Sequence, residues 1–281
     1  MKSGMKQTQI DWNDEFANAK YIPNGGRYPN LWKQLAGSFR SKWSNQILDC
    51  QYGEHPRKRF DLFLPSGQNV GLVIFVHGGF WLDFDKSFWS HLARGLCENN
   101  WSCAIPSYVL APEAKISEIT QMISVAIETC ATKISGPIVL IGHSAGGHLV
   151  SRMACKTTLL KPVTTARIQR IYSISGIHDL TNLLHTEMNS KLALTRSEVL
   201  QESPSKLMPN PDAKLVCWVG AKERPEFLGQ SDLLFCAWSK SLQSIECVVE
   251  RDKHHFNVIE SLTDPSSILT RTVCGLSAFK R

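Results

Sequence analysis

The 281-residue sequence is 43% hydrophobic and 20% charged, enough for one large core and unlike a disordered or fibrous chain. Its 31 Lys+Arg against 25 Asp+Glu leave a formal net charge of +6, but the charges are scattered without a basic block or stripe, so no nucleic-acid partner is expected. Nine cysteines, an odd count with no Cys-x-x-Cys pair, argue against a zinc knuckle or a disulfide framework; reduced thiols and no metal are expected.

The first residues, Met1 to Phe16, lack the apolar core of a signal peptide, and no later segment approaches the ~18 apolar residues of a membrane span. A soluble cytoplasmic protein with no membrane role is expected. Residues 1–45, with Trp12, Tyr21, Trp32 and Trp43, read as an N-terminal arm or cap. Lys58 to Leu64 alternates with period two and stops at Pro65-Ser66-Gly67, the pattern of a half-exposed strand entering a turn. Leu72 to Val76 is an unbroken apolar run, the mark of a strand buried on both faces, and it ends abruptly in His77-Gly78-Gly79-Phe80-Trp81.

Further short apolar runs follow at Ser102 to Pro106, Ile138 to Ile141, Ile171 to Ile174, Leu215 to Val219 and Ile245 to Val249. Amphipathic stretches separate the earlier ones: Ser87 to Asn99, Ile116 to Ile134 and Ala145 to Cys155. Strand and helix alternating in this way predict an α/β fold, a mostly parallel central sheet flanked by helices, as a single domain over 1–281. Residues 178–213, polar and holding Pro204, Pro209 and Pro211, break the alternation and read as a cap insertion or as surface loops. In such sheets ligands sit beyond the carboxyl ends of the strands, so the residues just after each run carry the chemistry.

After Ile138 to Ile141 comes Gly142-His143-Ser144-Ala145-Gly146-Gly147. Small residues two positions either side of a serine, between a strand and a helix, are what a nucleophile elbow requires. Ser144 is the candidate nucleophile, and the amide of Ala145 lies at a helix N-terminus that favours developing negative charge. His148, one turn on, reads as a packed or capping side chain. A serine hydroxyl needs a base, and the base needs a carboxylate to hold its tautomer.

The run Ile245 to Val249 leads to His254-His255-Phe256-Asn257, making His255 the candidate base and His254 the alternative. Leu215 to Val219 leads to Gly220-Ala221-Lys222-Glu223-Arg224-Pro225-Glu226, making Glu223 the candidate acid, with Glu226 and Asp179 as alternatives. The turn after Leu72 to Val76 then has a purpose. Two glycines let the main chain approach a substrate, so Gly78 and Gly79, joined by Ala145 and with Phe80 as a further candidate, are the candidate oxyanion donors. His77 shapes the turn, Trp81 offers an aromatic wall, and Phe80 and His143 complete the expected substrate contacts.

These stretches resemble the HGGxW signature and flanking motifs of the kynurenine formamidases (arylformamidases), a branch of the α/β-hydrolase fold akin to the hormone-sensitive-lipase-like esterases. The likeness runs nearly the length of the chain: Tyr52-Gly53, Asp61 to Pro65, His77 to Trp81, Tyr108 to Glu113, Gly142 to Gly146, Pro225-Glu226-Phe227 and His255 to Val258. It implies hydrolysis of N-formyl-L-kynurenine to L-kynurenine and formate in tryptophan degradation, without metal or cofactor, by Ser144, an acid and His255. The substrate would be a small molecule with an aromatic group. That family usually has Asp where Glu223 stands, and often Asp in place of Asn257. A short-chain carboxylesterase with another ester or amide substrate, a catalytically inactive binding protein of the same fold, and a homodimer all stay open.

Overall fold

The computed structural model describes residues 10–276. Eight strands form one sheet: β1 (Gln46–Gln51), β2 (Arg59–Phe63), β3 (Leu72–Val76), β4 (Ser102–Pro106), β5 (Ile138–His143), β6 (Ile168–Ile174), β7 (Lys214–Gly220) and β8 (Ser244–Glu250). Around it lie α1 (Trp12–Glu15), α2 (Asn18–Tyr21), α3 (Tyr28–Lys42), α4 (Ala93–Glu98), α5 (Ile116–Lys133), α6 (Ala145–Met153), α7 (Pro162–Thr165), α8 (Asn189–Leu192), α9 (Arg196–Glu202), α10 (Pro225–Trp238) and α11 (Ile268–Val273).

The strand order is β1-β2-β4-β3-β5-β6-β7-β8, antiparallel only where β2 meets β1 and β4. From β3 the chain runs outward to β4, then crosses back to β5 on the other side of β3. This reversal of winding puts a crevice at the carboxyl ends of β3 and β5. The two strands pair with Val76 beside Gly142, so the turns that follow them are neighbours.

Side chains alternate across β3 as the pleat requires. Leu72, Ile74 and Val76 enter a layer with Ile119 and Ile123 of α5, Leu149 of α6 and Leu234 of α10. Val73 and Phe75 enter the opposite layer with Trp32 of α3, Leu96 of α4 and Leu269 of α11. Each such side chain removed from water contributes about 1.5–3 kcal/mol. The unbroken apolar runs are thus the consequence of cover on both faces.

Several sequence expectations are revised. The strand expected to be half-exposed, β2, is buried after its first residue. The reason is its neighbours: Phe39 of α3 lies 5.3 Å from Phe63, and Asp61 is held by Lys86 Nζ at 2.7 Å and by the Asp49 amide at 2.9 Å. The exposed edge strand β1 had no apolar run to announce it. The stretch Ser87 to Asn99 is not one helix; two 3₁₀ turns, Lys86–Phe88 and Ser90–Leu92, precede α4, the first capped by Asp85, whose carboxylate accepts from the Ser87 amide at 2.7 Å.

All nine cysteines are unpaired. Among the described residues no helix is long and apolar enough to cross a membrane.

Burial holds His77, His91, His148 and His178 neutral. Desolvation lowers the pKa of His77, His91 and His178 to about 4 and that of His148 to about 3. An unfolded histidine titrates near ~6.5, so below that pH the unfolded chain binds protons that the native one refuses. Native stability is therefore full above about pH 6.5 and falls as pH drops toward 4, by up to about 1.4 kcal/mol per pH unit for each histidine. Urea melts between about pH 6.5 and 5, above the carboxylate range, should show midpoints moving steadily to lower urea. Midpoints that stay level across this window would refute the assignment.

Candidate active site

The elbow forms because β5 and α6 are joined with no room for side chains on either flank of Ser144. A Cβ on Gly146 would lie 2.0 Å from the Val76 carbonyl oxygen, and one on Gly142 would lie 2.0 Å from that of Gly146. Ser144 itself sits at φ 55°, ψ −118°, a strained conformation for a residue with a side chain. A hydrogen bond from its amide to the Ile174 carbonyl, 2.8 Å, holds the turn down on β6. The hydroxyl is thereby presented at the carboxyl end of the sheet.

His255 follows β8 and Glu223 follows β7. Their strands pair in parallel with Gly220 beside Glu250, which brings the two loops together. His255 Nδ1 donates to Glu223 Oε2 at 2.6 Å. The other carboxylate oxygen accepts from the Gly220 amide at 2.8 Å and from the Ser175 hydroxyl at 2.5 Å. The Glu223 carboxylate is fully enclosed, so these donors replace the water it lost. The extra methylene of Glu over Asp is taken up within the loop and does not prevent contact with the imidazole.

His255 is packed between two rings, Phe227 at 4.3 Å and His143 at 4.7 Å between centroids. His143 Nε2 also donates to the His255 carbonyl at 2.8 Å, and burial holds the His143 pKa well below the ordinary histidine range. Neutral His143 thus ties the elbow to the His255 loop. Ser144 and His255 line one cavity of about 420 Å³; no hydrogen bond joins them among the described residues.

On the other side of Ser144 lies the turn after β3. Gly79 takes φ +109°, and Phe80 and Trp81 follow at 50° and 59°. Gly78 is pressed against the elbow, where a Cβ would lie 2.9 Å from Ser144 Cβ. The His77 carbonyl accepts from the Tyr108 hydroxyl at 3.0 Å, and the Gly78 carbonyl accepts from His77 Nδ1 at 2.7 Å. In a trans peptide the N–H points opposite to the C=O. Anchoring those two carbonyls therefore turns the Gly78 and Gly79 amides the other way. The Ala145 amide stands at the start of α6, directly after Ser144.

Two expected substrate contacts are corrected. Trp81 is fully buried and does not line the cavity; the successive positive φ angles carry its indole into the core, edge-on to His148 at 5.1 Å. His77 is also fully buried, stacked on Tyr108 at 4.4 Å, and acts on the turn rather than on the cavity. Phe80 and His143 do line it. The aromatic wall comes instead from Phe16, Trp32, Phe80, Phe84, Trp89 and Phe256.

Phe16 and Trp32 belong to the N-terminal arm, which also lends Ala17, Asn18, Ala19 and Lys20 to the wall, whereas no residue of 178–213 reaches it. Asn18 is nearly enclosed, and its amide nitrogen has no hydrogen-bond partner among the described residues. The arm is clasped by Arg224, next to Glu223. The guanidinium meets Asp14 at 3.0 Å and Glu15 at 2.8 Å and stacks on Tyr21 at 3.9 Å.

The alternatives are placed elsewhere. Asp179 is paired with Lys206 at 2.5 Å, Glu226 bonds Asn182 and Gln230, and His254 Nε2 meets the Tyr28 hydroxyl at 3.3 Å. His148 Nε2 donates to the Glu202 carbonyl at 2.7 Å, inside the core. Among the described residues no group of three or more His, Cys, Asp or Glu side chains gathers in a way that could hold a metal. Ser175 escaped the sequence reading although it stands just past the run Ile171 to Ile174, the position at which that reading looks for chemistry, and at φ 51°.

Comparison with known proteins agrees with this architecture. The BD-FAE family model matches residues 60–232. The kynurenine formamidase of Danio rerio is 31% identical over 250 residues, covering 84% of each chain. A crystal structure from Silicibacter sp. TM1040, of a protein described provisionally as a thioesterase, superposes with a TM-score of 0.90 at 46% identity, covering 94% of this chain and 99% of that one. A hyperthermophilic esterase from the archaeon Pyrobaculum calidifontis shares the fold, with a TM-score of 0.68 at 15% identity over 92% and 93% of the two chains. With its mostly parallel sheet, its elbow at the end of β5 and these relatives, the chain is a hydrolase of the α/β-hydrolase fold and belongs to the BD-FAE family alongside the kynurenine formamidases.

Proposed function

We propose that the protein is a serine hydrolase of aryl formamides, converting N-formyl-L-kynurenine to L-kynurenine and formate. The observation that carries this reading is His255, paired behind the wall with Glu223, on an aromatic cavity that Ser144 also lines. His255 Nε2 takes the Ser144 proton as Oγ attacks the formyl carbon, and Glu223 stabilises the imidazolium that results. The charge on the carbonyl oxygen is met by the Gly78, Gly79 and Ala145 amides. His255 then protonates the aniline nitrogen as the C–N bond breaks, and L-kynurenine leaves. Water, deprotonated by the same imidazole, cleaves the formyl ester to formate and restores Ser144.

Every proton in this scheme is moved by a side chain of the chain itself, and no metal or cofactor takes part. The aromatic walls suit an aryl leaving group. Nine unpaired thiols suit a reducing compartment such as the cytoplasm.

The rival reading, a short-chain carboxylesterase, is favoured by the same apolar walls, which would serve an acyl chain equally well. Side-by-side kcat/KM values for N-formyl-L-kynurenine and p-nitrophenyl acetate separate the two, because specificity is a ratio of such values. The formamide should be the better substrate; a p-nitrophenyl acetate value well above it would favour the esterase. Labelling of Ser144 by a fluorophosphonate should succeed in either case, and its failure would point to an inactive binding protein.

A further inference from the structure

One polar side chain on the cavity wall has no task in the reaction just described. Asn18 lines the cavity, is 6% exposed, and has an amide nitrogen enclosed without a hydrogen-bond partner among the described residues. Its neighbours on the arm are apolar or already engaged: Phe16 is wedged edge-on against Phe80 and Phe227, and Lys20 pairs with Asp14. A buried amide that the chain does not satisfy calls for a partner from outside it. Half a turn about the terminal torsion exchanges its N and O, so Asn18 can donate or accept.

The arm that presents Asn18 is not a loose segment, because Arg224 fastens Asp14 and Glu15 beside the Glu223 loop. The partner must lie on the leaving portion of the substrate. A formyl group has one polar atom, the carbonyl oxygen, and that oxygen faces the Gly78, Gly79 and Ala145 amides. Resting on the aryl-formamide reading, we infer that Asn18 is a specificity-determining residue, whose amide hydrogen-bonds a second polar group of the leaving aniline. It selects aryl formamides bearing a carbonyl beside the ring nitrogen over plain anilides. The ketone of N-formyl-L-kynurenine is such a group.

The test measures kcat/KM for 2-formamidoacetophenone, which has that carbonyl, and for formanilide, which lacks it, in the wild type, Asn18→Leu and Asn18→Asp. Comparing the ratio of the two substrates between enzymes cancels their intrinsic reactivities. The ratio should fall by about tenfold in both variants, chiefly through KM for the acetophenone, as expected for one lost hydrogen bond. Asn18→Asp keeps the shape and removes the donor, so it reports even if Asn18→Leu folds poorly. Equal losses on both substrates, or an unchanged ratio, overturn the assignment while leaving the formamidase reading in place. If both formamides are inert and only p-nitrophenyl acetate is cleaved, the formamidase reading fails and this inference fails with it.

Discussion

Ser144→Ala should lower kcat on an aryl formamide and on p-nitrophenyl acetate alike, by a factor on the order of 10⁶. Both substrates should lose together, since the proposed mechanism uses the same hydroxyl on either carbonyl. The fold should survive, because the bond that holds the elbow on β6 runs from the Ser144 main-chain amide to the Ile174 carbonyl and needs no hydroxyl. A thermal melt close to wild type, with turnover reduced to a low residual background, is the expected pair of results. Appreciable turnover in pure, folded Ser144→Ala would remove this serine as the nucleophile.

The second large effect is expected at Glu223→Gln, and the hydrogen bonds around the carboxylate dictate its direction. One oxygen faces two donors, the Gly220 amide and the Ser175 hydroxyl, and the other faces His255 Nδ1. A glutamine here must place its oxygen toward Gly220 and Ser175, since its NH₂ would clash with two donors. That leaves the NH₂ pointing at His255, which can meet it only as the tautomer with a bare Nδ1. The proton then sits on Nε2, where the base should be free. By analogy with loss of a triad carboxylate that leaves the geometry intact, kcat should fall by about 10⁴ with little change in KM.

Glu226→Gln is the control. Glu226 bonds Asn182 and Gln230 and does not touch His255, so its replacement should leave kcat near wild type. A large loss at Glu226 with Glu223→Gln fully active would show that the acid has been misassigned.

The scaffold was largely readable from local pattern. β3 and β4 lie on the apolar runs that announced them, and β5, β6, β7 and β8 extend theirs by two or three residues. A buried parallel strand must be apolar on both faces, so its record in the sequence is local and strong. The elbow was readable for the same reason: the steric demand on Gly142 and Gly146 comes from main-chain atoms of the adjoining strand and turn, which any sequence making this motif must respect. The candidate serine, carboxylate and histidine stand in the expected chain order, after β5, β7 and β8.

What only the tertiary structure decided is everything that depends on contact between distant segments or on the direction of a side chain after an unusual backbone angle. Trp81 and Phe80 are adjacent and both aromatic, yet one enters the core and the other the cavity, because a run of positive φ angles turns them apart. Phe16, Asn18 and Trp32 reach the cavity through an arm with no periodic signal tying it to the site. Ser175 and Asp61 are polar residues inside otherwise buried surroundings, and only their partners, Glu223 and Lys86, explain them. The sequence by itself determined on which strand ends the candidate groups stand. The packing of remote segments decided what surrounds them, because burial and hydrogen-bond pairing are properties of neighbours in space and leave no fixed spacing along the chain.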